Sequence, residues 1–454
     1  MKKITYLTFL LVMAIFAQAA AQGPIVAPAQ KKPVMLKGAT IHTGTGEIIE
    51  NGYVAFSGGK IIAVGKASEI RPETPGYDII DVTGKQIYPG LIYPNTNLGL
   101  LEIGGGVEVT NDTREIGDLN PNVRAIAAYN TDSHILPVIR ANGILLAQIV
   151  PEGTLLPGTS SIVQLDAWNW EDAAYKIDNG IQLVWPRKPS ASGRSSAYAQ
   201  MLAGAQSSYD KNVEAVDKIF NDAVAYAAIE KPSDKNLRLE SMKGLFDGSK
   251  ILFITSNDPK GIISAVTFAK NHGVKRIVLE GADESAWAVK DFLKQNNIPV
   301  ILSNTLELPR YDYSDTRMPF KLAAKFMKEG ILTGLSYTSQ AYGNLPFAAG
   351  QTVSYGLTKE EALQTVTLNN AKILGIDDIT GSIEKGKDAN IVVSTGDILD
   401  MAGNNVEYAF ITGRSISLDN KHKQLTRRFE AKYENMEQSK PSVKNLKQPG
   451  GIDK

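Results

Sequence analysis

Between Gly90 and Thr338 the sequence repeats one local pattern: a short apolar run of strand length, then polar or helical sequence, then another apolar run. Eight such runs can be marked: "GLIYPNT", "GILLAQIV" (143–150), "SSIVQLD" (160–166), "GIQLVW" (180–185), "KILFITS" (250–256), "KRIVLEG" (275–281), "PVILSNT" (299–305) and "ILTGLSYT" (331–338). Most lack strict apolar–polar alternation, as expected of parallel strands covered on both faces. Helical patterns lie between several of them. "PKGIISAVTFAKNHG" and "ESAWAVKDFLKQNN" are clear cases with polar or glycine endings. Eight strand–helix units predict a TIM-like (β/α)8 barrel over residues 89–378. Residues 186–245 interrupt the alternation, with Val213, Val216, Ile219, Phe220 and Val224 at helical spacing. They predict a helical insertion packed on the barrel.

The flanks read differently. Residues 34–88 carry short β-branched runs and Gly-rich turns, and residues 379–419 carry strands again. An all-β piece at each end of a barrel predicts one small β-sandwich built from both. Residues 22–33 read as a linker and 420–454 as a charged tail, its last fifteen residues disordered. At the N-terminus Lys2 and Lys3 precede an apolar run and then the small residues Ala17, Ala19 and Ala21. This is the order of a cleavable secretory signal, so residues 1–21 predict export to the periplasm. No membrane span is expected after cleavage. With no cysteine there is no disulfide and no lipid-modified cysteine. Lys+Arg and Asp+Glu both number 48, so no general attraction to nucleic acid is expected.

Three stretches carry a family resemblance. "GKQIYPGLIYPNTNLGL", "GILTGLSYTSQAYGNLPFAAGQTVSYGLTKEEALQTVTLNNAKILGI" (its final stretch, from "TKEEALQ" on, reading as an amphipathic helix) and "DDITGSIEKGKDANIVVSTGDIL" resemble the first barrel strand, the eighth strand with its following helices, and the return to the sandwich in the amidohydrolase superfamily. The middle of the chain is similar to a secreted, imidazolonepropionase-like subgroup. The resemblance implies metal-assisted hydrolysis of C–N bonds, with one or two divalent ions at the C-terminal ends of the strands lowering the pKa of a bound water.

Carried over residue by residue, the ligand pattern is broken. The Asp that precedes the family's His-x-His falls on Tyr93, and the two histidines on Asn95 and Asn97. Strand parity would put these two carboxamides on one side. The strand-five His falls on Thr255 and the strand-eight Asp on Thr338, while Glu280 lies near the strand-six His. The strand-four bridging residue has only Arg187 and Lys188 nearby. Neutral amides and hydroxyls bind Zn²⁺ weakly and bring no charge to offset a dication. The expectation is therefore no metal and no other cofactor, with zinc or another divalent ion only if the family activity is retained. The chain's four histidines (His42, His134, His272, His422) show no metal-ligand spacing. Glu102, Glu152 and Glu280 follow or end barrel strands and are the candidate acid–base carboxylates.

Two main readings result. One is a degenerate amidohydrolase that binds a small polar ligand, or pairs with itself or with an active relative. The other is an active hydrolase of cyclic amide or dipeptide-like bonds with a rewired site.

Overall fold

Five short strands open the described chain: β1 (Val34–His42), β2 (Ile48–Ser57), β3 (Lys60–Lys66), β4 (Asp78–Asp81) and β5 (Gln86–Pro89). The structure, a computed structural model, describes residues 26–70, 76–102, 111–189, 196–303, 305–337 and 342–438. The expected signal peptide, Thr338 and the last fifteen residues lie outside them.

Eight strands follow in one sheet: β6 (Leu91–Thr96), β7 (Ile144–Ile149), β8 (Thr159–Gln164), β9 (Ala174–Val184), β10 (Ile251–Thr255), β11 (Ile277–Ala282), β12 (Val300–Leu302) and β13 (Thr333–Leu335). They pair in chain order from β6 to β13. No backbone ladder joins the two ends of this sheet among the described residues, yet β13 returns beside β6. The Ser336 hydroxyl donates to the Pro94 carbonyl at 2.6 Å. The Asn370 carboxamide donates to the Ile92 carbonyl (2.9 Å) and the Leu335 carbonyl (3.0 Å). Side chains thus staple the seam of a nearly closed barrel.

All eight strands were expected to run parallel, but β8 runs antiparallel to both β7 and β9. The reason is chain length. Residues 150–158 and 165–173 are too few for crossover helices, and a parallel connection needs about a dozen residues or more. The stretch "TKEEALQTVTLNNAKILGI" also forms two helices, Lys359–Thr365 and Leu368–Leu374, rather than one. Between them the Val366 carbonyl accepts from the Ile92 N–H at 2.8 Å, so β6 takes the acceptor that a continuous helix would use.

The last strands are β14 (Ile391–Ser394), β15 (Val406–Ile411) and β16 (Arg414–Ser415). They join the opening strands in one eight-stranded path, β16-β15-β14-β5-β1-β2-β3, with β4 beside β1. Phe56 on β2 and Phe410 on β15 have ring centroids 4.9 Å apart. Four strand spacings in a flat sheet would hold them about 19 Å apart. The sheet therefore rolls over a core that includes Leu36, Ile41, Phe56, Ile61, Ile391 and Phe410.

In the insertion, the helix Ser196–Ala227 buries Val216, Ile219 and Phe220 in the same core as the barrel strands and leaves Val224 exposed. Phe220 meets Phe268 edge-on at 5.0 Å. Residues from 419 onward form a separate unit, whose described part is the helix Lys421–Gln438.

Candidate functional site

Two apolar clusters distinguish the faces of the barrel strands. The larger contains Ala147, Leu183, Leu252, Ile254, Leu279 and Val300 with residues of the surrounding helices, such as Ile262 and Ala265. The smaller contains Ile92, Leu146, Ile162, Ile251, Phe253, Val278 and Ile301, and it is the inside of the barrel. Gly180 belongs to the inner face of β9, because a Cβ there would lie 2.4 Å from Cε2 of Phe253. Two residues further toward the barrel mouth on those same faces stand Gln148, Gln182, Thr255 and Glu280. On the reversed strand β8, Ile162 pairs with Gln148, and Ser160 stands two residues nearer the mouth on the same face. A polar layer therefore caps an apolar one.

Part of this layer is a hydrogen-bonded chain. The Asn95 N–H donates to Oε1 of Gln148 at 3.1 Å, and Nε2 of Gln148 donates to Oγ of Ser160 at 3.1 Å. The Ser160 hydroxyl donates on to Oδ1 of Asn179 at 3.0 Å. Other groups of the layer are unsatisfied. Glu280 is 1% exposed, and neither carboxyl oxygen has a hydrogen-bond partner among the described residues. Burial pushes its pKa up to about 8, so at neutral pH it is mostly a protonated, uncharged acid. Glu280 pairs in register with Thr255, which in turn neighbours Val184. Nε2 of Gln182 is likewise buried without a partner among the described residues.

The asparagine pair at the end of β6 is not arranged by strand parity. The strand ends at Thr96, and Asn95 has φ +49°. The register with β7 slips between Tyr93 and Thr96. This left-handed kink, which asparagine tolerates better than most residues, breaks the alternation that would have set both carboxamides on one side. Asn97 is committed at both ends: Nδ2 donates to Oε1 of Glu152 and Oδ1 accepts from the Tyr342 hydroxyl, each at 2.8 Å. Tyr93, at the position of the family's Asp, is fully buried and donates its hydroxyl to the Tyr337 carbonyl.

The three candidate carboxylates do not form a set. Glu102 accepts from Nδ2 of Asn130 (3.1 Å) and Oγ of Ser133 (2.9 Å). Glu152 accepts from Asn97. Burial raises the Tyr342 pKa, and the charges of Glu152 and Glu102 raise it further, so both acids lie near that phenol. Glu280 stands apart on β11. Nζ of Lys188 lies 6.0 Å from the ring centroid of Tyr209, over the insertion helix.

No histidine joins the site among the described residues. Nδ1 of His42 is 2.6 Å from Glu360 in the rolled sheet region, and His134 precedes the helix Ile135–Arg140. Nδ1 of His272 donates to the Phe268 carbonyl at the end of its helix. His422 lies in the separate C-terminal helix. Sequence reading missed Gln148, Ser160 and Gln182. For Gln148 and Gln182 the signal was a lone polar residue inside an apolar strand run; Ser160, between Thr159 and Ser161, gave none.

The chain matches the model of the amidohydrolase family over residues 320–418. It is 24% identical over 379 residues to an imidazolonepropionase of Mesorhizobium japonicum, covering 76% of this chain and 87% of that protein. A second imidazolonepropionase, from Flavobacterium psychrophilum, is 28% identical over 135 residues, or 28% of this chain and 32% of its own. Among solved structures, an amidohydrolase from Thermotoga maritima superposes with TM-score 0.72 at 24% identity, covering 85% of this chain and 99% of that one. An adenosine deaminase from Xanthomonas campestris with bound zinc superposes at 0.52 with 14% identity, covering 90% and 100%. Together these likenesses support a place in the amidohydrolase superfamily. Within it, the sequence is imidazolonepropionase-like.

A divalent ion of the kind this family implies does not fit the residues present. The positions offer an amide with both ends taken (Asn97), a second amide, a threonine, and a carboxyl that burial holds uncharged. Among the described residues no group of three or more His, Cys, Asp or Glu could hold an ion.

Proposed function

We propose that this chain is an exported amidohydrolase-fold protein that binds a small polar ligand at the barrel mouth without metal-dependent hydrolysis. The observation that carries this reading is Asn97, whose carboxamide stands at a ligand position yet bonds Glu152 and Tyr342. Moving it onto an ion would leave the buried Tyr342 hydroxyl without this partner, at about 1–3 kcal/mol, and would break the exposed bond to Glu152. The polar layer around Gln148, Gln182 and Glu280 supplies donors and acceptors for a ligand instead. Export is supported by the basic, apolar and small-residue order of residues 1–21.

The test is metal analysis of the purified protein beside a variant carrying Asn95→His, Asn97→His, Thr255→His and Thr338→Asp. Metal uptake by the variant alone is expected. Stoichiometric zinc, iron or manganese in the natural chain, with metal-dependent turnover of cyclic amides or dipeptides, would overturn the proposal. Pairing with a second copy or an active relative belongs to the same reading. A strict monomer with no co-purifying partner in native mass measurement removes that part.

A second reading draws on Glu280. A buried carboxyl that is protonated at neutral pH is a competent general acid. If it acts so on a bound C–N substrate, turnover falls above about pH 8 and vanishes in Glu280→Gln. A substrate-panel survey with no turnover at any pH eliminates this alternative.

A further inference from the structure

At the opposite end of the barrel lies a cavity of about 410 Å³, lined by the end of the helix Pro259–Asn271, the residues leading into β11 and β12, and the helix Leu368–Leu374. Four of its lining residues are cationic: Lys270, Lys275, Arg276 and Lys372. None is acidic. In a chain of zero net charge this is a local excess of one sign. Lys270 and Lys372 sit in the last turns of their helices, where a cation offsets the negative end of the helix dipole. That explanation does not reach Lys275 and Arg276, which precede β11 outside any helix.

Arg276 is the informative residue. Its guanidinium lies against Gly375, where a Cβ would be 2.6 Å from Nη2 and 2.8 Å from Nη1. Gly375 has φ +70°, so the position suits glycine on both counts. Lys176, nearby, donates to the Gly375 carbonyl at 2.6 Å and adds positive charge. Among the described residues Arg276 has no carboxylate within ion-pair distance, and Asp377 acts on it only from further away. A half-hidden guanidinium without an ion pair is costly unless an anion completes it. A planar donor fork, pinned beside three lysines in a cavity with no acidic lining, is the arrangement that recognises a tetrahedral oxyanion.

We propose that this cavity is a binding site for a dianionic phosphoryl group, free or as an ester, held by Arg276 with Lys275, Lys372 and Lys270. The site is separate from the barrel mouth and does not depend on what the mouth binds.

Calorimetric titration of the full purified chain at fixed ionic strength tests this, with orthophosphate in one arm and glycerol 3-phosphate in the other. Saturable binding is expected in at least one arm. Tighter binding of the ester assigns the site to phosphoesters, and equal or weaker binding assigns it to the free ion. The double variant Arg276→Gln, Lys372→Gln should bind at least about tenfold more weakly. Lys211→Gln, an exposed control elsewhere, should bind as the natural chain does. Melting curves without phosphate report whether the double variant folds. If it does not, the charge-swap pair Lys275→Glu and Lys275→Arg replaces it, with loss expected only in the former. Absence of saturable binding in both arms, or equal affinity in the charge-removing variants, overturns the proposal.

Discussion

Replacing Glu280 with glutamine should change how stability responds to pH, and the size follows from the site. In the unfolded chain this carboxyl titrates near its ordinary 4.5, and in the fold burial lifts it to about 8. Between these values the folded state holds a proton that the unfolded state has released. Stability therefore falls as pH rises through this window, and the effect is complete above about pH 8. At 1.36 kcal/mol per pH unit the gap amounts to at most about 5 kcal/mol, an upper figure because water reaching the carboxylate would reduce it. Glutamine has nearly the same shape and never ionises. Urea denaturation of both proteins at pH 5, 6.5, 8 and 9 isolates the group, since all other titrations cancel in the difference. The variant should match the natural chain near pH 5, exceed it progressively to pH 8, and hold a constant advantage of several kcal/mol beyond. A difference that does not change with pH would refute the claim that Glu280 is buried without a charge partner.

Three further outcomes are expected. Asn97→Ala should cost about 1–3 kcal/mol in chemical denaturation, because the buried Tyr342 hydroxyl loses its partner while exposed Glu152 turns to water; a cost near zero would mean water replaces the amide freely at Tyr342 too. Asn370→Leu should cost about 2–4 kcal/mol and speed amide exchange on β6 and β13, since the Ile92 and Leu335 carbonyls lose the donor bridging the seam. Burial pulls the His42 pKa down, but hydrogen bonds to Glu360 and Gln86 and the charges of Glu360 and Asp397 outweigh it and hold it above 6.5. Its stabilisation is thus fully present below pH 6.5 and lost as pH rises through the raised value. Glu360→Gln should flatten that loss, and a His42 ring titration by NMR should show the pKa falling.

The barrel strands were legible because buried strands of such a sheet are apolar on both faces, and that pattern survives without knowledge of their partners. The reversal of β8 was hidden for a different reason. Its run "TSSIVQ" is as buried as its neighbours although more polar, neither of which speaks of direction, and only the short connections of 150–158 and 165–173 reveal it. Asn95, Asn97 and Thr255, the residues that the resemblance sets at ligand positions, could be read one at a time. The inner layer of Gln148, Ser160, Gln182 and Glu280 could not, because it exists only once neighbouring strands are in register. The positive φ at Asn95 is invisible in an apolar–polar pattern, and it undid the inference that Asn95 and Asn97 share a side.

The rolled sheet has a consequence for timing. Its strand β5 pairs on one side with β1 and on the other with β14, where Pro89 meets Ile391. Any process that delivers the chain from the N-terminus, whether synthesis or threading through a translocation pore, leaves that edge of β5 bare until almost the whole barrel has emerged. The first strands cannot be finished early, and the last ones arrive to a template already waiting. Such long-range pairing slows folding and favours an open chain during delivery. A protein wired this way locks its two ends together last, so a truncation within β14 should leave an exposed strand edge and aggregate rather than fold as a shorter barrel.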